Sequence, residues 1–355
     1  MKAADHLTMK LCKHFPIHPS RKFTLCSVLM GIMAGGNVHQ VSAARYLDSG
    51  SPKSALRRVE RFFQKEVLRC SDFALSAIQL LNFKGKFDLC IDRTNWKFGD
   101  KNTNYLVLSW RISKQISIPL FFVELDKAGN SNTSERISLL DEFDAVFGFE
   151  RIKSLMADRE FIGKHWIETL IKHGISFYIR IKENTLVPYG EDPIHVGKLF
   201  NHLESWQTRL VEKDMYGSTV CFAGARSKSG ELVIVMSNCD LTAKKILGKY
   251  RKRWSIEELF GKLKTNGLNW ENTHMKDSKR LVTLLIIMSM AALLLYYIGL
   301  NSHGKTAWKK TLNCPQWSLF KIGLINFQRI ATKGINTVIK YLTKACNNLK
   351  VLLEC

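Results

Sequence analysis

"FDLCIDRTNW", residues 87–96, is the run that decides the fold. It is short and rich in β-forming residues, and an acid, Asp92, follows its apolar part directly, so it predicts a strand. Two more such runs come next, "NYLVLSWRIS" (104–113) and "ISIPLFFVEL" (116–125), and the three read as neighbouring strands. A helical stretch, "SERISLLDEFDAVFG" (134–148), leads to a fourth strand at "IKSLMADRE" (152–160). Another helix, "GKHWIETLIKHG" (163–174), has Gly174 as its stop and precedes a fifth strand, "SFYIRIKEN" (176–184). Three strands, helix, strand, helix, strand is the order of an α/β fold with a mixed five-stranded sheet under helical cover.

Outward from this core the pattern changes on both sides. Residues 1–80 read as a helical N-terminal region. In "NVHQVSAARYLDSGSPKSALRRVERFFQKEVL" two helices are separated by "DSGSPKS", whose Asp, Gly and Pro supply turn chemistry. The second of these helices sets Arg57, Arg61 and Lys65 along one side with Arg58 beside them, and Leu56, Val59, Phe62 and Phe63 as apolar anchors. Arg57, Arg58 and Arg61 are therefore candidate DNA contacts, with an ordinary solvated basic face as the competing reading. Residues 185–240 alternate in short runs such as "STVCFAGARS" and "ELVIVMSN" and predict a β-rich insertion. The helical signal returns at "TAKKILGKYRKRW", so the core is expected over 81–184 and 241–300, followed by a basic helical C-terminal region over 301–355 whose only acid is Glu354.

Charge limits the partners. The chain has 355 residues with 53 Lys+Arg against 31 Asp+Glu, a formal charge of +22, which suits a polyanion such as nucleic acid. Nine scattered cysteines with no CxxC pair point to reduced thiols and a cytoplasmic protein. Cys12, His14, His18 and Cys26 fit no zinc-finger spacing, and Pro16 and Pro19 break the local structure between them. "LVTLLIIMSMAALLLYYIGL" (281–300) is long enough to span a bilayer, but it lies between a charged helix and a basic tail, and a helix buried in a large core is the better reading, with no membrane partner.

The densest chemistry is in "YRKRWSIEELFGKLK" (250–264). At about 100° per residue, Tyr250, Arg253, Trp254, Glu257, Gly261 and Lys264 share one stripe, while Ile256, Leu259 and Leu263 form an apolar face with Phe260 at its edge. A lone Arg253–Glu257 pair would be an ordinary i,i+4 salt bridge worth about 0.2–0.5 kcal/mol. Asp92 and Asp158, each following an apolar strand, offer Glu257 partners. Three carboxylates amid Lys and Arg suit hard divalent cations such as Mg2+, which share their remaining positions with waters and phosphate oxygens. Two such ions can activate a water or a 3′-hydroxyl and stabilise the leaving oxygen of a phosphoryl displacement.

Those residues also carry a family resemblance. The 250–264 stretch matches Y-x2-R-x3-E-x6-K and resembles bacterial insertion-sequence transposases of the DDE class, with Tyr250, Arg253, Glu257 and Lys264 in the four places. "CIDRTNWKFG", "GNSNTSERISLL" and "ADREFIGKHW" are similar to the family's blocks around the first Asp, the strand-to-helix loop and the second Asp. The resemblance covers about 87–300. It implies a ribonuclease H-like catalytic core interrupted by the β-rich insertion, with Asp92, Asp158 and Glu257 as catalytic metal ligands for Mg2+, Mn2+ being able to substitute. It implies Tyr250, Arg253 and Lys264 as grips on DNA phosphates, with Trp254 divided between a DNA role and bracing the helix. The function implied is binding of an element's terminal inverted repeats, strand cleavage and strand transfer into target DNA, by a dimer on synapsed ends. A hairpin route with a base stacked on a Trp belongs to the same expectation; Trp206 is the one Trp of the insertion. The rival reading is a catalytically silent, transposase-derived DNA-binding protein.

Overall fold

Among the described residues five helices precede the first strand: α1 (Lys2–Leu11), α2 (Pro19–Gly35), α3 (Gln40–Ala44), α4 (Pro52–Lys65) and α5 (Cys70–Leu81). The computed structural model describes residues 2–47, 50–98, 101–302, 308–309, 314–315 and 317–354. Proline at the first turn starts α2 and α4, where its missing N–H costs no helical bond. The Ser51 side chain accepts from the Ser54 backbone N–H, closing the α4 terminus. Ala55, Val59, Phe62 and Phe63 are buried on one side of α4, and Arg57, Arg61 and Lys65 are exposed on the other. Arg58 leaves that exposed row: its Nε donates to Thr24 Oγ1 at 3.2 Å and its Nη2 to the Ser20 carbonyl at 3.1 Å, pinning α4 to α2. Cys12 and Cys26 face each other with sulfurs 3.8 Å apart, while His14 pairs with Gln79 and His18 caps α2.

The strands then come in the expected order: β1 (Phe87–Phe98), β2 (Lys101–Arg111), β3 (Ser117–Glu124), helix α6 (Thr133–Phe147), β4 (Ile152–Ala157), helix α7 (Lys164–Lys172) and β5 (Phe177–Ile181). A capping box between Asn132 and Glu135 sets the start of α6. β6 (Leu186–Val187) and β7 (Ile194–His195) pair as a small ribbon, and β8 (Thr208–Met215), β9 (Ser218–Arg226) and β10 (Leu232–Ser237) follow. The sheet is mixed, as expected, but it has eight strands rather than five, in the order β3-β2-β1-β4-β5-β10-β9-β8. The reason is the free edge of β5. Its backbone donors and acceptors are met by antiparallel pairing with β10, Ile181 opposite Ile234 and Tyr178 opposite Ser237, so three strands of 185–240 continue the sheet.

The chain closes with α8 (Ala243–Tyr250), α9 (Trp254–Leu263), α10 (Ser278–Ser302), the short strands β11 (Trp308–Lys309) and β12 (Cys314–Pro315), α11 (Leu319–Ala331) and α12 (Ile335–Asn348). α10 carries the 281–300 run. By length and composition it could cross a membrane, and here α2, α5, α11, α12 and β3 enclose it, leaving almost all of its side chains buried. Ser289, the polar residue at its middle, turns its hydroxyl back to the Leu285 carbonyl, which satisfies it inside the apolar surround.

α10 and α11 cross at glycines. A methyl group on Gly299 would overlap the carbonyl oxygen of Leu319, and one on Gly323 would overlap that of Leu295. Both obstacles are backbone atoms, so relief requires moving a whole helix. Gly323→Ala gains about 1 kcal/mol of helix propensity but meets an overpacking cost of about 1–3 kcal/mol or more. We expect Gly299→Ala and Gly323→Ala each to lower the urea unfolding midpoint, and a midpoint at or above that of the parent would show that the crossing spreads at no cost.

Candidate active site

β1 and β4 run parallel, and their pairing ends at Ile91 opposite Ala157. The next residue on each chain is an acid, Asp92 and Asp158. Neighbouring strands lie about 4.8 Å apart, so the register itself sets the two carboxylates side by side. Asp158 follows the last residue of β4, as its sequence context suggested. Asp92 does not end its strand: β1 continues to Phe98 because its antiparallel pairing with β2, on the opposite edge from β4, runs from Leu89–Trp110 on to Phe98–Lys101.

Glu257 arrives on α9. Buried Ile256, Leu259 and Leu263 seat that helix on the sheet, with Phe260 at the edge of the packed face. The 250–264 run is not one uniform helix. α8 ends at Tyr250, residues 251–253 make a 3-10 turn, and Lys264 leaves helical geometry. Tyr250, Arg253 and Glu257 nevertheless converge. Lys264 goes elsewhere: its Nζ donates to the Asn95 carbonyl at 3.0 Å, pairs with Glu271 at 2.8 Å and lies 5.5 Å from the Trp96 ring centre. Trp254 points outward and is 59% exposed, so it does not brace the helix through burial.

One guanidinium links the acids. Arg253, a buried residue, donates from Nη1 to Asp92 Oδ2 at 3.1 Å, from Nη2 to Glu257 Oε1, and from Nε to the Tyr250 hydroxyl at 3.2 Å. The Tyr250 hydroxyl donates in turn to Asp158 Oδ1 at 3.3 Å. Burial opposes the charge on Arg253, but Tyr250, Glu257, Asp158 and Asp92 together hold its pKa above the ordinary value. Burial pushes the Asp92 carboxyl up to about 6; Arg253 opposes the shift, and Glu160 and Asp158 add to it. Burial likewise raises the Tyr250 hydroxyl, which therefore stays a donor.

A second layer was not foreseen from the sequence. Arg93 pairs with Glu160 at 2.9 Å and donates to Asn104 Oδ1 and Asn130 Oδ1, both at 3.0 Å. It thereby ties the residue after Asp92 to the loop after Asp158. Opposite charges directly beside the two acids, in "IDR" and "DRE", were the available signal. The sequence marked Asn130 only as part of the "GNSNTSERISLL" block, and gave Asn104 no role beyond opening a strand. Arg57, Arg58 and Arg61 all belong to α4, which packs on α2, α3 and α10, and none of them joins this cluster.

The three carboxylates fit a hard divalent cation by donor type, and burial, which raises the pKa of Asp92 against the pull of Arg253, makes a cation at that carboxylate favourable. As arranged, Asp92 and Glu257 are each tied to Arg253, and among the described residues no three His, Cys, Asp or Glu side chains are grouped at metal-holding spacing.

Residues 88–294 match the family described as the transposase DDE domain, a span that contains Asp92, Asp158 and Glu257. The chain belongs to that family. No curated protein matches it in sequence. A cryo-EM structure of the piggyBac transposase synaptic complex with hairpin DNA is similar over 97% of this chain and 83% of its own, at 12% identity and a TM-score of 0.47, a likeness too loose to bear on the site.

In this transposase DDE domain the burial of Asp92 has a pH consequence. Because its folded pKa lies above the ordinary 3.8, its contribution to stability is complete below that value and is lost as pH rises through about 6. Asp92→Asn keeps the neutral form at every pH. In metal-free buffer we expect the thermal stability of the variant relative to the parent to increase across this window, by on the order of 2 kcal/mol. Parallel pH profiles for the two proteins would show that Asp92 is not held up by burial.

Proposed function

We propose that this transposase domain acts on DNA by metal-assisted phosphoryl transfer, in a ribonuclease H-like core whose site is Asp92, Asp158 and Glu257. The observation that carries the reading is the β1–β4 register, which ends one residue before each Asp, where Arg253 bonds both Asp92 and Glu257. The Y-x2-R-x3-E-x6-K spacing supports it, and so does the resemblance to bacterial insertion-sequence transposases. The substrates are the terminal inverted repeats of the element and a target duplex, handled by a dimer on synapsed ends in the cytoplasm.

Asp92, Asp158 and Glu257 would hold Mg2+, or Mn2+ in its place, which when bound supplies Lewis acidity and an activated water or 3′-hydroxyl. The chain's own groups do the rest. Arg253 and the Tyr250 hydroxyl turn donors toward the acids and can turn them toward phosphate oxygens, for which a guanidinium fork is well shaped. Arg57 and Arg61, exposed on α4, add positive surface for the duplex. Trp254, also exposed, offers a ring to a base or sugar. Lys264 lies against the Asn95 carbonyl of β1, where its bonds to Asn95 and Glu271 steady that strand.

The catalytically silent, DNA-binding reading draws on one observation: Arg253 already pairs with both Asp92 and Glu257. Cleavage of end DNA decides between the two. We expect Asp92→Asn, Asp158→Asn and Glu257→Gln each to reduce strand cleavage at least about a hundredfold, an effect of about 2.7 kcal/mol, while duplex binding in gel shifts is retained. Parent protein that binds but never cleaves with Mg2+ or Mn2+ would establish the silent reading, and cleavage retained in one variant would remove that residue from the site.

A further inference from the structure

A second charged cluster lies on the same sheet face, at the other end of the parallel strands. Side chains alternate along a strand, so Asp88, Cys90 and Asp92 of β1 share the face covered by α8 and α9. Asp88 accepts from the Ser154 hydroxyl at 2.6 Å and lies 3.9 Å from Lys252 Nζ, on the tight turn between the two helices. One step beyond the Leu89–Trp110 pair, the antiparallel register brings Arg111 opposite Asp88. Lys249 and Lys153 are also close enough to Lys252 to repel it: burial lowers its ammonium pKa, Asp88 resists, and Lys249, Arg111 and Lys153 lower it further.

Lys249, Arg111 and Lys153 therefore gather around Lys252, whose paired acid is Asp88. Among the described residues Arg111, Lys153 and Lys249 form no ion pair, and the half-buried guanidinium of Arg111 has no hydrogen-bond acceptor. Like charges held together without partners are costly unless a polyanion joins them. The spacing matches such a partner. Asp88 and Asp92 are four residues apart on β1, about 13 Å, which is well inside one duplex turn of about 34 Å.

We propose that Arg111, Lys249, Lys252 and Lys153 form a phosphate-binding patch that holds the DNA backbone within one turn of the bond at Asp92 and Asp158. This rests on DNA being the substrate, as in the function proposed above. Arg111, with its planar fork, takes two oxygens of one phosphate, and the lysines supply point charges to its neighbours.

The test is fluorescence anisotropy of a labelled random-sequence DNA duplex titrated with the full chain at increasing KCl. Arg111→Gln combined with Lys249→Gln should flatten the slope of log K against log salt by about two units, since each phosphate contact contributes about 0.9. The charge-preserving pair Arg111→Lys and Lys249→Arg should keep most of the slope, which guards against a folding artefact. Lys340→Gln with Lys344→Gln, on the exposed side of α12, is the charge-matched control and should change the slope far less. An unchanged slope in the first variant overturns the patch, and so does an equal loss in the control, because bulk charge would then explain it. The readout is binding alone, so cleavage that survives in the Asp92, Asp158 or Glu257 variants would defeat the catalytic reading without moving this result.

Discussion

The parallel pairing of β1 with β4 is the constraint on which the site depends. Ile91 and Ala157 are its last partners, so Asp92 and Asp158 emerge together at the point where the shared ladder stops. Parallel neighbours require a crossover, and here the crossover contains β2, β3 and α6, a long loop to close before the pairing returns anything. The register must be strict. A slip of one residue would turn Asp92 to the opposite face and bury Arg93 beneath α9.

Arg253 is the counterweight to that pairing. Burial disfavours a charged carboxylate, and it is the main reason the pKa of Asp92 is raised, with nearby Glu160 and Asp158 adding to it. A guanidinium bonded to Asp92, Glu257 and Tyr250 lets the fold carry those charges. Lysine would not serve equally, because an ammonium lacks the planar array of donors that reaches three acceptors in fixed directions. The Arg93–Glu160 pair does a related job one layer out, fastening the two acid-bearing segments to each other rather than to α9.

Much of this was legible before the structure. The order of strands along the chain through β5 and the apolar side of α9 follow from local periodicity, which the chain obeys at those places; Tyr250, Arg253 and Glu257 converge as the stripe suggested although a 3-10 turn interrupts the helix between them. What periodicity could not supply was contact between distant segments. β10 reads as a strand from its alternation, but its choice of β5 as neighbour depends on an unfilled edge that no local pattern records. Lys264 fits the helical stripe by counting, yet the backbone turns at that residue and Glu271 and Asn95 take its ammonium. Arg58 looked equivalent to Arg57 and Arg61 until α2 packed beside it and offered two oxygens.

Extending the sheet to eight strands moves its exposed border far from the acids. With each strand rotated by about 20–25° relative to the last, seven successive steps turn β8 through roughly 150° relative to β3. β8 therefore presents unpaired amide groups to solvent in a different direction from the rest of the face. An open border of that kind invites a foreign strand to add on, and the sequence "TRLVEKDM" guards against it with Arg209, Glu212, Lys213 and Asp214. An intruder would have to strip water from four charges in eight residues, a cost set against adding a strand at this edge.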